Sequence, residues 1–117
     1  MTQLLDDLKA VRELLSSPKK WTQGQYAKDA RGHAVDDCSP KATCWCLVGS
    51  MWKRGYDVGQ WGCERVMSMI NPLTAQLPPK DRIPGFSLTV WNDDPARTHE
   101  EVLALLDKAI LAESSNA

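Results

Sequence analysis

Apolar residues recur at helical spacing in four segments of this chain, and this periodicity is the strongest constraint on its fold. In the first segment, Thr2 is a suitable N-cap for a leucine-rich stripe that should end by Ser17, because Pro18 disfavours helical geometry in the residue before it. Three further helices are predicted at residues 40–54, 57–70 and 98–111.

Local start and stop signals set these boundaries. They are Ser39-Pro40 and Gly55 for the second helix, Asp57, Gln60 and Asn71-Pro72 for the third, and Thr98 with Glu101 for the fourth. Gly49, in the apolar middle of the second helix, is predicted to permit the close approach of another backbone. We therefore expect the second helix to be the central element of the core.

Shorter segments carry signals of extended structure. Residues 25–28 and 33–35 flank the turn sequence Asp29-Ala30-Arg31-Gly32, which predicts a small hairpin. Apolar residues alternate with polar ones at residues 86–90, which predicts a short strand, and a turn is expected at residues 91–95. The predicted fold class is α+β and mainly helical, with about four helices around one core and a small β-hairpin or short strands.

Length and composition are typical of one globular domain spanning residues 1–117, with 43% hydrophobic and 25% charged residues. The 14 basic and 15 acidic side chains give a net charge of −1, so the chain has no overall field to attract nucleic acid or a membrane surface. Asp6 and Asp7 stand where a signal peptide would carry basic residues. We therefore expect a cytoplasmic protein that binds neither nucleic acid nor membranes.

Four cysteines, Cys38, Cys44, Cys46 and Cys63, are predicted to be free thiols, because nothing in the sequence indicates export. A zinc site that includes His33 is disfavoured, because Cys44 and Cys46 would point about 200° apart on a helix. Cys46 in the middle of an apolar helix would also lack the exposed helix N-terminus that activates a thiol. No metal and no cofactor is predicted.

The candidate binding site consists of five residues from two predicted loops. They are Trp21, Gln23, Trp91, Asn92 and Asp93. If the loops meet, two indole faces beside amide and carboxylate groups would suit a small planar or sugar-like ligand. In the alternative interpretation, the polar side chains cap loops and helix ends around a structural aromatic cluster.

Three short motifs are spread over most of the chain. They are Trp21-Thr22-Gln23-Gly24, Cys44-Trp45-Cys46-Leu47-Val48-Gly49, and Trp91-Asn92-Asp93 followed by Thr98-His99-Glu100-Glu101-Val102. Together they resemble a family of short uncharacterised proteins found in bacteria and their phages, over about residues 4–111. The resemblance implies a bacterial or phage cytosolic protein, and it assigns no catalytic residues.

Three functional hypotheses follow. The preferred one is a non-enzymatic small-molecule or protein-binding or regulatory domain, whose working surface lies where the Trp21 and Trp91 loops approach each other. The second is a small hydrolase or transferase that uses His33 with Asp93 or a cysteine. The third is a homo-oligomeric interaction protein with tryptophans in the interface. His99 is expected to face solvent in the first turn of the last helix.

Overall fold

The computed structural model describes residues 2–59, 62–82 and 87–116. In these residues the chain forms five α-helices and three short strands. The helices are α1 Gln3–Leu14, α2 Leu47–Val58, α3 Gly62–Ala75, α4 Ser87–Asp93 and α5 His99–Asn116. The strands are β1 Ala27–Lys28, β2 Ala34–Val35 and β3 Cys44–Trp45. The predicted mainly helical α+β class is confirmed.

The first and last helices begin where their capping signals predict. The Thr2 hydroxyl accepts a hydrogen bond from the N–H of Leu5 at 3.1 Å. At the start of α5, the Thr98 N–H donates to the Glu101 carboxylate at 2.9 Å, and the Glu101 N–H donates to the Thr98 hydroxyl at 3.2 Å. The helix continues to Asn116, so the end predicted at residue 111 is too early.

The predicted hairpin is confirmed, but the second helix begins later than predicted. β1 lies in the centre of the sheet and pairs antiparallel with both β2 and β3. Residues 44–45 belong to β3, and the Cys46 N–H donates to the Tyr26 carbonyl at 3.1 Å. The predicted start at Pro40 is wrong because pairing with β1 outweighs the local helix signal there. Cys46 is the N-cap of α2 instead.

Glycines set the end and the packing of α2. The helix continues past Gly55, where it was predicted to stop, and ends at Val58, followed by the C-cap residue Gly59 with a φ of 79°. Gly55 faces α3, where an added Cβ would lie 2.8 Å from the Gly62 carbonyl oxygen. The predicted close approach at Gly49 is confirmed, because a Cβ there would collide with the Tyr26 carbonyl.

The third helix runs through the proline that was predicted to end it. Pro72 lies inside α3, and the next residue, Leu73, is fully buried. Burial of Leu73 offsets the hydrogen bond that the proline cannot donate. The predicted capping role of Asp57 is also wrong, since Asp57 lies within α2 and binds Lys53 at 2.8 Å. Its predicted partner Gln60 lies outside the described residues.

The strand and turn predicted at residues 86–95 are replaced by α4 over residues 87–93. The buried positions of this helix follow helical spacing. They are Ser87, Leu88, Trp91 and Asn92. Val90 is 51% exposed, so the alternation that predicts a strand does not describe the buried face. Phe86 lies outside the described residues.

Buried side chains from all five helices form one hydrophobic cluster with parts of the sheet. Its fully buried members include Leu8, Met51, Met69 and Leu106. Trp45 and Trp91 belong to this core, each 7% exposed, while Trp61 lies outside the described residues. In the described ranges, no helix combines the length and apolarity needed to cross a bilayer.

Candidate functional site

Four of the five candidate residues, Trp21, Gln23, Asn92 and Asp93, lie together where residues 21–24 meet the C-terminal end of α4. Trp21 forms an isolated bridge with Trp45 in β3, and the Thr22 N–H donates to the Trp45 carbonyl at 3.0 Å. These bonds hold residues 21–24 against the sheet. Gln23 and Gly24 then contact the last turn of α4 and the residue that follows it.

Asn92 is the centre of this junction. Its side-chain oxygen accepts hydrogen bonds from the Trp21 indole at 2.8 Å and from the Leu47 N–H at 3.1 Å. Its amide nitrogen donates to the Thr22 carbonyl at 3.2 Å and to the Asp93 carboxylate at 2.9 Å. A primary amide offers two acceptor positions and two donor hydrogens, so every polar position of this buried side chain is used.

Gln23 and Asp93 strengthen the same junction. The Gln23 amide donates to the carbonyl of Asn92 at 2.8 Å and to that of Asp94 at 2.7 Å, which satisfies carbonyls at the end of α4. The Asp93 carboxylate accepts the N–H of Gly24 at 3.0 Å. Because these groups bind one another, a ligand recognised by Gln23 or Asn92 would first have to break internal hydrogen bonds.

Trp91 points to a different surface and is covered by Arg97. The guanidinium carbon of Arg97 lies 4.0 Å from the centre of the indole ring, and its Nε donates to the Trp91 carbonyl at 2.9 Å. The same guanidinium binds Glu101 at 3.0 Å and lies 3.9 Å from Asp94. These contacts fix the stack in one geometry.

Two cavities open beside the Trp91–Arg97 stack. The first, of about 400 Å³, lies between α5 and residues 76–81, and the second, of about 450 Å³, borders residues 89–95. Asp81 and Asp94 line both cavities together with the stack, whereas Asp93 lines only the second. Each volume lies in the range that small-molecule sites occupy.

The first cavity carries charges of both signs. Lys80 and Lys108 line it, and within residues 2–59, 62–82 and 87–116 neither forms an ion pair. Asp81 also has no ion pair within those ranges, whereas Glu101 binds Arg97. The apolar side chains between these charged groups include Leu77 and Leu105.

The comparisons with known proteins identify a family but no activity. A family model described as a family of unknown function, DUF6197, matches residues 1–112. The chain belongs to this family. No curated protein and no solved structure matches the sequence. Membership of this family assigns the DUF6197 chain no catalytic or binding role.

The cysteines of this DUF6197 protein are unpaired. Cys46 lies at the N-cap of α2, where its sulfur accepts the Gly49 N–H at 3.2 Å, so the prediction that it lies inside a helix is wrong. The thiol is nevertheless inert, because burial raises the pKa of Cys46 to about 11. Within the described ranges, no group of three or more His, Cys, Asp or Glu side chains is placed to hold a metal ion.

Thiol alkylation should distinguish Cys46 from Cys63. With a pKa of about 11, only about one Cys46 thiol in a thousand is ionised at pH 8, and the side chain is buried. Brief treatment of the folded protein with iodoacetamide should therefore label the exposed Cys63 and leave Cys46 unmodified, as measured by peptide mass spectrometry. The urea-unfolded protein is the control, in which both should react. Equal labelling rates in the folded protein would contradict the assignment.

The two histidines have separate environments. His33 is exposed, and its Nδ1 lies 3.7 Å from the Asp29 carboxylate. The carboxylate of Asp93 instead accepts hydrogen bonds from Gly24 and Asn92. In the part of the chain that the structure describes, no hydrogen bond or ion pair joins His33 to Asp93.

The expectation that His99 faces solvent is wrong. Its Nε2 atom lies 2.6 Å from the Leu15 carbonyl, and its ring centre lies 6.3 Å from that of Trp21. Since a carbonyl only accepts hydrogen bonds, Nε2 carries the ring proton. His99 therefore joins the start of α5 to the end of α1.

Sequence reasoning missed the charged residues of the first cavity. Glu101 and Lys108 lie seven residues apart on α5, with Ala104 and Leu105 between them on the same face, and this spacing is visible in the sequence. The position of Lys80 depends on the path of a proline-rich connection, so no local pattern could have placed it opposite α5.

Proposed function

We propose that this chain is a non-enzymatic binding domain for a small zwitterion with an apolar body, such as an amino acid with a large side chain. The observation that carries the proposal is the cavity of about 400 Å³ beside Trp91, in which apolar side chains lie among groups of opposite charge. This surface replaces the Trp21–Asn92 junction as the working site, because the polar groups of that junction bind one another.

The arrangement of charges along α5 supports a ligand with two charged ends. Glu101 and Lys108 are seven residues apart, which corresponds to about 10 Å along a helix. Glu101 lies beside Arg97 and so belongs to a balanced cluster, whereas Lys108 has no ion pair in the described ranges. A ligand carboxylate would gain most at the Lys108 end of the cavity.

Other residues that line the cavity indicate which further groups the ligand should carry. Among the described residues Lys80 forms no ion pair, so it is a second cation for a carboxylate, and the neighbouring Asp81, which likewise forms none there, is an acid for an ammonium group. Leu77 and Leu105, 1% and 4% exposed, provide an apolar wall for the body of the ligand. A molecule that satisfies all three features is a zwitterion with a hydrophobic side chain.

The cellular setting is part of the same proposal. Free thiols and the resemblance to short bacterial and phage proteins support a cytoplasmic location in a bacterium or a phage-infected cell. A net charge of −1 supports a partner other than nucleic acid or a membrane surface. A role as a regulatory domain would follow if the bound amino acid altered contacts with another protein.

Thermal unfolding with three related probes tests the proposal. Phenylalanine carries both charges, phenylpropionate lacks the ammonium group, and phenethylamine lacks the carboxylate. We expect phenylalanine to raise Tm in a concentration-dependent manner and the other two to raise it less, because a ligand stabilises the folded state according to its affinity. Failure of phenylalanine and of other large amino acids to raise Tm would contradict the proposal.

Charge variants identify the contacts. Lys108→Gln and Asp81→Asn should each weaken phenylalanine binding by about threefold to fivefold, which is the scale of a solvent-exposed ion pair. Lys108→Gln should leave phenethylamine binding unchanged, and Asp81→Asn should leave phenylpropionate binding unchanged. Lys19→Gln and Asp6→Asn, which change exposed residues outside the cavity, are the matched controls. Equal losses in variants and controls would contradict the assignment.

A further inference from the structure

The small sheet has one closed edge and one open edge. Its strand order is β2-β1-β3, and the outer side of β3 is covered by the bridge between Trp21 and Trp45. In the part of the chain that the structure describes, no strand pairs with the outer side of β2. An open edge of this kind presents backbone groups to which another extended chain can bind.

The register of the hairpin identifies the outward groups. The Asp29 N–H donates to the His33 carbonyl at 2.9 Å, and Ala27 pairs with Val35. Because hydrogen-bonded and non-hydrogen-bonded pairs alternate in an antiparallel ladder, the N–H and C=O of Ala34 point away from β1. Ala34 is exposed, and β1 is the one described strand that pairs with β2.

A groove runs along this edge. Its first part is a cavity of about 650 Å³ whose lining includes Tyr26, Val35 and Asp36. Asp37 and Cys38 line this cavity and also a second one, of about 290 Å³, that reaches Tyr56. We call these two adjacent cavities, which share Asp37 and Cys38, the edge groove. They give the edge a path along which a bound segment can continue.

The chemistry of the edge groove favours a cation. Tyr26 and Tyr56 are 55% and 64% exposed, and tyrosine faces attract Arg and Lys side chains. Asp36 and Asp37 form no ion pair with another described residue. Partial burial and the neighbouring Asp36 raise the pKa of Asp37, so a cation bound beside it would relieve an unfavourable charge.

We propose that the edge groove binds an extended basic segment of another protein, which adds a strand to β2 and places Arg or Lys side chains against Asp36 and Asp37. Backbone pairing with Ala34 sets the register, and the carboxylates select the charge. A second copy of this chain fits less well, because pairing two β2 edges would bring four carboxylates onto one short ladder.

Fluorescence anisotropy with a labelled peptide of alternating arginine and valine tests this proposal. We expect saturable binding that weakens with salt, and no binding of the corresponding glutamate and valine peptide. The double variant Asp36→Asn with Asp37→Asn should weaken binding by about tenfold. The matched control is Asp6→Asn with Glu100→Gln, which removes two exposed carboxylates outside the edge groove and should bind the peptide normally.

A second pair of variants tests strand addition. Ala34→Pro removes an outward N–H that the hairpin does not use, so the fold should persist while peptide affinity falls by about tenfold or more. Ala34→Ser keeps the N–H and should bind normally. Binding that is equal in all these variants, or equal for both peptides, would overturn the proposal. A dimer in analytical ultracentrifugation that Ala34→Pro converts to monomer would also overturn it, in favour of a second copy.

Discussion

Replacing Asn92 with alanine should lower the free energy of unfolding by about 4 kcal/mol. The change leaves the Trp21 indole, the Leu47 N–H and the Thr22 carbonyl without their partner in a buried junction. Each buried polar group that loses its hydrogen bond costs about 1–3 kcal/mol, and partial relaxation reduces the sum. Domains of this size have a free energy of unfolding of about 5–15 kcal/mol. The expected loss is therefore a large fraction of the total stability.

Urea unfolding of Asn92→Ala and of Asn71→Ala measures this effect. Asn71 is an exposed asparagine on α3, so its replacement should change the free energy of unfolding by less than about 0.5 kcal/mol. The comparison removes the general effect of shortening an asparagine. Similar losses in the two variants would show that the Asn92 hydrogen bonds do not hold the junction together.

A second large loss is expected for Asp7→Ala. Asp7 is 1% exposed, and its carboxylate accepts hydrogen bonds from Arg54 at 2.9 Å and from Arg65 at 2.8 Å. It therefore joins α1 to both α2 and α3, and its hydrogen bond raises the pKa of Arg65. Removing the acid leaves two neighbouring guanidinium groups without their anion, which should cost about 3 kcal/mol. The partial exposure of both arginines keeps the cost at the lower end of the range for buried pairs.

The neighbouring residue provides the control for Asp7. Asp6 lies in the first turn of the same helix and is exposed, so Asp6→Ala should cost at most about 1 kcal/mol through the helix dipole. Asp7→Asn, which keeps one acceptor oxygen, should fall between the two. Chemical unfolding curves give all three values, and a loss for Asp7→Ala no larger than that for Asp6→Ala would contradict the proposed role.

Elements with strong local signals could be predicted from the sequence. The Thr2 cap and the stop before Pro18 define α1, and the reciprocal bonds of Thr98 and Glu101 define the start of α5. The hairpin around Asp29-Ala30-Arg31-Gly32 also follows from its turn. In each case the stabilising contacts lie within a few residues of one another, so tertiary context does not alter the outcome.

Elements that depend on distant partners could not be placed correctly. Ser39-Pro40 is a good helix start, yet the following residues pair with β1, and the helix begins only after Cys46. The alternation near Val90 predicts a strand, although α4 is fixed by burial of Leu88 and Trp91 in the core. These outcomes are decided by packing between segments that are far apart in sequence.

The candidate site was likewise predictable only where the residues themselves carry the signal. Four of the five predicted residues meet at the junction, because Trp21, Gln23 and Asn92 have polar groups that no simple helix or strand pattern explains, whereas Trp91 stacks with Arg97. The sequence could not show that these polar groups form hydrogen bonds with one another. Nor could it show that Lys80 and Lys108 line one cavity, since that depends on how residues 76–81 pass beside α5.

A nuclear magnetic resonance titration of the isotopically labelled protein with phenylalanine tests the binding proposal most directly. If the cavity beside Trp91 is the site, the largest amide shifts should occur in residues 76–81 and 101–108, while residues 21–24 remain unchanged because their hydrogen bonds stay intact. Saturating shifts centred on residues 21–24, or no shifts at any concentration, would contradict the proposal.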